Sequence, residues 1–150
     1  MSIHSDMTPK PLYVYRKVKN AKDIVDWAKS QGFSSVLSAD DMHVTITYSR
    51  TPVDWFKMGD AWASKMEIGE GGARTVEEFG GGAKVVRFAA SELEWRNLSM
   101  RELGASYDHN EYAPHITVSY DDMPENVTPY TGKIVLGPEI FEEINEEWKT

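Results

Sequence analysis

The sequence predicts an α+β fold built from two similar halves with a cleft between them. Three observations carry that expectation. The order strand, helix, strand appears early in the chain and returns late. A six-residue formula (His, aliphatic, Thr, aliphatic, hydroxyl residue, Tyr) occurs twice, as HVTITY from His43 to Tyr48 and as HITVSY from His115 to Tyr120. Each copy sits on the strand after a helix, so the two copies occupy matching places, and a duplicated α+β pair leaves a cleft between its halves. The 150 residues are read as one domain, 1–150, with two pseudo-symmetric lobes sharing a core.

The elements follow in order. Pro11 to Lys19 alternates as a strand. Asn20 is placed to cap a helix through AKDIVDWAKSQG, in which Ile24, Trp27 and Ala28 share a face and Gly32 ends the run. HVTITYS, rich in β-branched residues and bounded by DDM and Thr51-Pro52, is the next strand. VDWFKMGDAW is a short apolar stretch of either type. Met66 to Phe88 reads as a hairpin or pair of strands interrupted by GEGG and GGG, and Ser91 with Glu94 makes a capping box for a helix to about Gly104. HITVSY then follows Pro114, and the tail holds a strand to about Leu136 and one further piece. Trp27, Trp55, Trp62 and Trp95 are expected in the core.

Composition excludes several functions. The formal net charge is -8, from 24 acidic and 16 basic residues, and the longest basic run is the scattered RKVK of Arg16 to Lys19. Long nucleic acids are held through phosphate neutralisation by basic surfaces, so a duplex partner is not expected. A phosphate-bearing ligand remains possible if it is small and enclosed. Cysteine is absent, which removes disulfides, thiolate catalysis and thiolate metal sites. No apolar run approaches the roughly 20 residues of a membrane span. MSIHSDMTPK lacks the features of a signal peptide, and a cytoplasmic protein is expected.

Side chains two apart on a strand share a face. Regular alternation therefore puts His43, Thr45 and Thr47 on one side, with Val44, Ile46 and Tyr48 behind them. It does the same for His115, Thr117 and Ser119 against Ile116, Val118 and Tyr120. Two imidazoles and up to four hydroxyls would converge across the cleft. Such a set suits cleavage of a phosphodiester: a neutral imidazole takes a proton from the attacking group, and a protonated one gives a proton to the leaving oxygen. Hydroxyls hydrogen-bond the nonbridging oxygens. Zinc held by both histidines with Asp40, Asp41 or Asp121 is the competing reading, but the H-x-x-x-H and H-x-H spacings are absent.

His-x-Thr repeated on two strands, 72 residues apart (115 minus 43), resembles the two-histidine (2H) phosphoesterases. Within them the chain is most similar to the bacteriophage anti-CBASS nucleases, on MSIHS, TPKPLYV, RKVKNA, HVTITYS and APHITVSY. The resemblance implies a bilobal fold, two lobes of antiparallel sheet plus helices around a central cleft. It implies catalytic roles for His43 and His115, with Thr45 and Thr117 binding phosphate. It further implies a cyclic di- or trinucleotide signal such as 3′,3′-cyclic GMP-AMP as substrate, cleaved at a 3′–5′ bond without metal or cofactor. No obligate protein partner is implied, and the setting is the cytoplasm of a host bacterium. A phosphodiesterase for RNA ends with 2′,3′-cyclic phosphates uses the same residues, and a non-catalytic nucleotide sponge is the third reading.

Further residues are candidates by type. Tyr13 and Trp148 can stack on bases, and Glu142 can accept hydrogen bonds from a base edge; ordinary packing competes for Tyr13 and Trp148. His109, in YDHNEY, reads as a turn residue. The glycine-rich stretch from Gly69 to Gly82 is either a plain hairpin connection or a lid that brings Arg74 or Lys84 to phosphate.

Overall fold

A computed structural model describes residues 8–109 and 111–144. Two antiparallel sheets carry the fold. The first contains β1 (Lys10–Val18), β2 (His43–Val53), β3 (Met66–Ile68) and β7 (Ile134–Glu143), in the order β2-β1-β7-β3. The second contains β4 (Arg74–Phe79), β5 (Ala83–Phe88) and β6 (His115–Ser119), in the order β4-β5-β6. Within the described residues the tail, expected as a strand to about Leu136 and a further piece, runs as one strand, β7, paired along β1 from Leu12↔Glu143 to Val18↔Leu136. Both motif strands, β2 and β6, are therefore edge strands, one from each sheet.

Helices α1 (Ala21–Ser30) and α3 (Ser91–Glu102) are exchanged between the sheets. α1 follows β1 but packs against β6, while α3 follows β5 and packs against β2. Of the face expected on α1, Ile24 and Ala28 are buried, together with Ala21, while Trp27 is half-buried at its edge. One apolar cluster, including Val14, Ile24, Val44, Ile46, Val86, Leu93, Met100, Ile116 and Val118, joins both helices to both sheets. α2 (Trp55–Met58) is a single turn whose start is capped by Asp54, which accepts from the Phe56 amide. No helix of the described residues is long and apolar enough to cross a membrane.

Both expected helix caps work differently. The Asn20 side chain makes no cap bond; its Oδ1 accepts from the Val135 amide and its Nδ2 donates to the Lys133 carbonyl, fastening α1 to β7. Ser91 is the first helical residue, not the cap, because Glu94 N–H bonds the backbone carbonyl of Ala90. The tryptophans also depart from expectation: Trp27 and Trp55 are only half-buried against the apolar cluster, Trp62 is half-buried outside it, and Trp95 is 58% exposed and stacks on Trp62 at 5.8 Å.

A buried ionic cluster pins the segment before β3. Arg96 on α3 makes a two-pronged pair with Glu139 on β7, both bonds at 2.9 Å. Glu139 also accepts from the Trp62 amide, and the Arg96 guanidinium lies over the Trp62 ring. Arg16, opposite Glu139 on β1 and 2% exposed, donates to the carbonyls of Ser64 and Gly137. A buried charge is tolerated only when paired and hydrogen-bonded, and this cluster meets that condition at Glu139.

At the glycine-rich stretch both candidate phosphate-binding cations are bonded to backbone carbonyls. Arg74 donates to the carbonyls of Gly69, Tyr130 and Gly132, and Lys84, 6% exposed, donates to Gly82. Neither residue lines the chambers that contain His43 and His115. GGG forms the turn from β4 to β5, where Gly81 and Gly82 take positive φ of 78° and 80°, which a side chain disfavours.

Candidate active site

Strand pairing fixes which side chains meet, since residues directly opposite in a ladder project to the same face. Along β1 and β2 the pairs Lys17↔His43 and Tyr15↔Thr45 keep one register; Val14↔Thr47 and Tyr13↔Tyr48 keep another. One extra residue, Ile46, is inserted between them, a β-bulge. The phase of the strand reverses there. His43 and Thr45 stay half-buried at the cleft, but Thr47 turns inward with no exposure and Tyr48 comes out in its place.

The second motif does the same at the same position. Arg87↔His115 and Val85↔Thr117 are followed by Lys84↔Ser119, so Val118 is the extra residue. Ser119 turns inward, 1% exposed, and Tyr120 outward, 60% exposed. The expectation that Thr47 and Ser119 face the cleft is therefore corrected for both strands. The physical reason is the bulge, which regular alternation cannot include.

The displaced groups hold the bulges in shape. The Ile46 carbonyl, orphaned from the ladder, accepts a 2.6 Å bond from Asn97 Nδ2 on α3. The Val118 carbonyl accepts from the Leu37 amide at 2.9 Å. Thr47 Oγ1 donates to the Ser106 carbonyl, and Ser49 Oγ accepts from the Ser106 amide, which ties the 105–109 segment to β2. Ser119 Oγ donates to the Ser35 carbonyl at 2.6 Å and accepts from the Asp121 amide.

The two imidazoles are held alike. His43 Nδ1 lies 2.9 Å from the Asp41 carbonyl, and His115 Nδ1 lies 2.7 Å from the Ala113 carbonyl, each two residues upstream. A carbonyl only accepts, so Nδ1 carries the proton in both rings. In each neutral ring Nε2 then bears the lone pair. Aromatic rings brace both: Tyr13 and Tyr15 meet His43 edge-on at 6.3 and 5.7 Å, and Phe79 packs on His115 at 4.6 Å. Burial pushes the His115 imidazole below its ordinary 6.5, against the opposing effect of the Ala113 bond; positive charge on His109, His43 and Arg87 adds to the lowering.

Two adjoining chambers open along these strands. One, about 520 Å³, is lined by His43, Tyr15, Lys17, Asp40, Asp41 and Glu142 among others. The other, about 420 Å³, is lined by Thr45, His115, Tyr48, Arg50, Tyr107, Asp108 and His109. Tyr13 and Tyr120 line both, so the chambers share these two walls. The Tyr13 hydroxyl, raised above its ordinary value mainly by burial, is hydrogen-bonded to Thr45. Glu142 accepts from Tyr15 at 2.9 Å, and burial together with that carboxylate pushes Tyr15 up to about 12.

Of the residues singled out in the sequence, His43, Thr45, His115, Tyr13 and Glu142 come together at the cleft. Thr117 shares the His115 face of β6 and is half-buried, but it lines neither chamber. Trp148 lies outside the described residues. His109 is in a loop, as expected, yet it reaches the cleft wall. Among the described residues no group of three or more His, Asp or Glu could hold a metal ion. Sequence reasoning missed Tyr48, Arg50, Tyr107, Asp108 and Tyr120. Tyr48 and Tyr120 had a signal, because both close the repeated formula and a packing role did not require tyrosine twice.

The model of the family described as anti-CBASS protein Acb1 matches residues 10–150. The chain belongs to that family. An Acb1 protein of Caulobacter sp. (strain RHG1) is 53% identical over 96% of this chain, which spans 24% of that relative. One from Sphingomonas paeninsulae is 48% identical over 99% of the chain and 25% of its own length. The chain thus spans about a quarter of the length of these two Acb1 relatives. The Acb1 protein of Vibrio phage KVP40 is 26% identical, with 99% of this chain and 97% of the relative covered. Among solved structures, E. coli LigT complexed with 3′-AMP superposes with a TM-score of 0.61 at 13% identity, covering 89% of this chain and 86% of that one. A structure described as a phosphoesterase gives 0.64 at 12%, covering 89% and 87%. These likenesses bear out the α+β, 2H phosphoesterase fold of this Acb1-family chain.

Proposed function

We propose that the chain is a phosphodiesterase that opens cyclic di- or trinucleotide immune signals at a 3′–5′ bond without a metal, and so blunts CBASS defence in a host cell. The observation that carries this reading is the matched pair of histidines. Each has Nδ1 tied to a carbonyl two residues upstream, which leaves Nε2 as the reactive atom at a common cleft. Membership of the anti-CBASS family supports the same assignment.

In this mechanism the ribose 2′-hydroxyl attacks the adjacent phosphorus. His115, kept neutral by burial, takes the hydroxyl proton on Nε2. His43, protonated, gives the Nε2 proton to the departing 5′-oxygen as the phosphorus–oxygen bond breaks. The products are a 2′,3′-cyclic phosphate and a free 5′-hydroxyl; water then opens the cyclic phosphate to a linear 3′-phosphate. Thr45, in the chamber wall, hydrogen-bonds a nonbridging oxygen and is oriented by the Tyr13 hydroxyl; Thr117, two residues from His115 on the same face of β6, takes a second oxygen when the phosphate lies against that strand. Tyr13, Glu142 and Trp148 contact the bases.

The test is turnover of 3′,3′-cyclic GMP-AMP by the wild-type chain and by His43→Ala and His115→Ala. Each substitution is expected to lower kcat by about 10²- to 10⁴-fold, the usual contribution of one general acid or base. Activity should persist in a chelator and follow a bell-shaped pH profile. Near-normal rates in both variants would sink the mechanism. Ligand recovered intact would point to a sponge, and cleavage confined to an RNA 2′,3′-cyclic phosphate to an RNA-end enzyme.

A further inference from the structure

The twin bulges assign two residues that regular alternation would place behind the site. We propose that Tyr48 and Tyr120 are base-contacting residues, one on each motif strand, which hold the nucleobases of the bound nucleotide by ring stacking. The inference rests on the nucleotide reading above and adds to it the residues that flank the reacting phosphate.

Four observations converge. First, the extra residue falls at the fourth position of both copies, Ile46 and Val118, so the tyrosine at the sixth is turned outward twice by one device. Second, both rings line the cleft, Tyr48 in the His115 chamber and Tyr120 in both chambers. Third, their mounts are rigid. Thr47 and Ser119, the residues immediately before them, are buried and hydrogen-bonded to the Ser106 and Ser35 carbonyls. The Tyr48 ring is further fixed by the edge of Tyr13 at 5.2 Å and by the Arg50 guanidinium at 5.1 Å, itself paired with Asp108. Fourth, Tyr120 is 60% exposed beside the site. Such a ring gains by covering its face with a base, and any base has a π-face to offer.

Geometry also says why two are needed. A phosphate that touches both imidazoles must sit where the chambers meet, with one nucleoside extending into each. Tyr48 then faces the nucleoside in the His115 chamber, and Tyr120, in the wall common to both chambers, is within reach of the other.

The experiment uses calorimetric titration with the 2′-deoxy analogue of 3′,3′-cyclic GMP-AMP, which lacks the attacking hydroxyl. Tyr48→Ala and Tyr120→Ala should each weaken binding about 5- to 150-fold, the range of one lost base stack. Tyr48→Phe and Tyr120→Phe should stay within about threefold of wild type, because the ring is kept. Inhibition by inorganic phosphate should be unchanged in all four. Alanine variants that bind within twofold of wild type overturn the proposal, and so do phenylalanine variants as weak as alanine. A wild-type chain that binds the analogue but leaves the ribose form intact defeats the phosphodiesterase reading alone. A wild-type chain that binds no analogue defeats both.

Discussion

Asn97 gives the sharpest test of how the fold builds the site. Its amide sits on α3, 1% exposed, and its Nδ2 donates to the carbonyl of Ile46, the bulged residue of β2. Replacement by leucine keeps much of the volume and removes the donor. The Ile46 carbonyl, buried and outside the ladder, would then have no partner. An orphaned buried carbonyl costs about 1–3 kcal/mol, so a loss near ~2 kcal/mol is expected. Leucine separates this cost from that of a cavity, since Asn97→Ala would add the lost packing as well.

The consequence for the site comes from where the bulge lies. Thr45 precedes Ile46 and Tyr48 follows it by two, so relaxation of the bulge moves both lining residues. A misplacement of about 1 Å in a positioned group can lower a rate by about 10²-fold. Urea unfolding should show the stability loss as a lower midpoint with unchanged slope, while turnover of 3′,3′-cyclic GMP-AMP falls. An Asn97→Leu variant within about 0.5 kcal/mol of wild type and with unaltered kcat would refute the claim that this bond shapes the strand.

Two further perturbations probe other links. Glu139→Gln removes the only carboxylate bonded to Arg96 among the described residues and leaves Arg16 and Arg96 buried without it; a loss of about 3–5 kcal/mol in urea unfolding is expected, and under about 1 kcal/mol would mean the cluster is replaceable. His115 is depressed below 6.5 chiefly by burial, so the unfolded chain binds the proton more readily and stability rises with pH. That contribution is fully present above 6.5 and is lost as pH falls through the folded value, so His115→Gln should flatten the acid side of a stability–pH curve; an unchanged curve would count against it.

Much of the fold was legible because its signals are local. The β-branched runs, the Ile24–Ala28 stripe and the repeated formula each act over a few residues, and the elements they predict are present. The exchange of helices between sheets was not legible, since it depends on contacts such as α3 with β2 that no local period records. Asn20 and Ser91 misled for a related reason. Both are good capping residues in isolation, but a tertiary partner took the Asn20 amide and the backbone of Ala90 took the place assigned to Ser91.

The site was legible where chemistry is tied to one residue type and lost where it depends on phase. His43 and His115 stand out because imidazole is scarce in this chain, with four copies in all. Tyr48 and Tyr120 were misplaced because a single inserted residue inverts every later face of a strand. The bulges also answer a second problem of this architecture. β2 and β6 are edge strands, and an unpaired edge invites another chain. A bulge breaks the edge into short pieces, and the bonds from Asn97 and Leu37 occupy the freed carbonyls. The same inserted residue that turns a tyrosine toward the cleft thus also blunts the edge on which the histidine stands, so a change that straightens either strand acts on site geometry and on edge protection together.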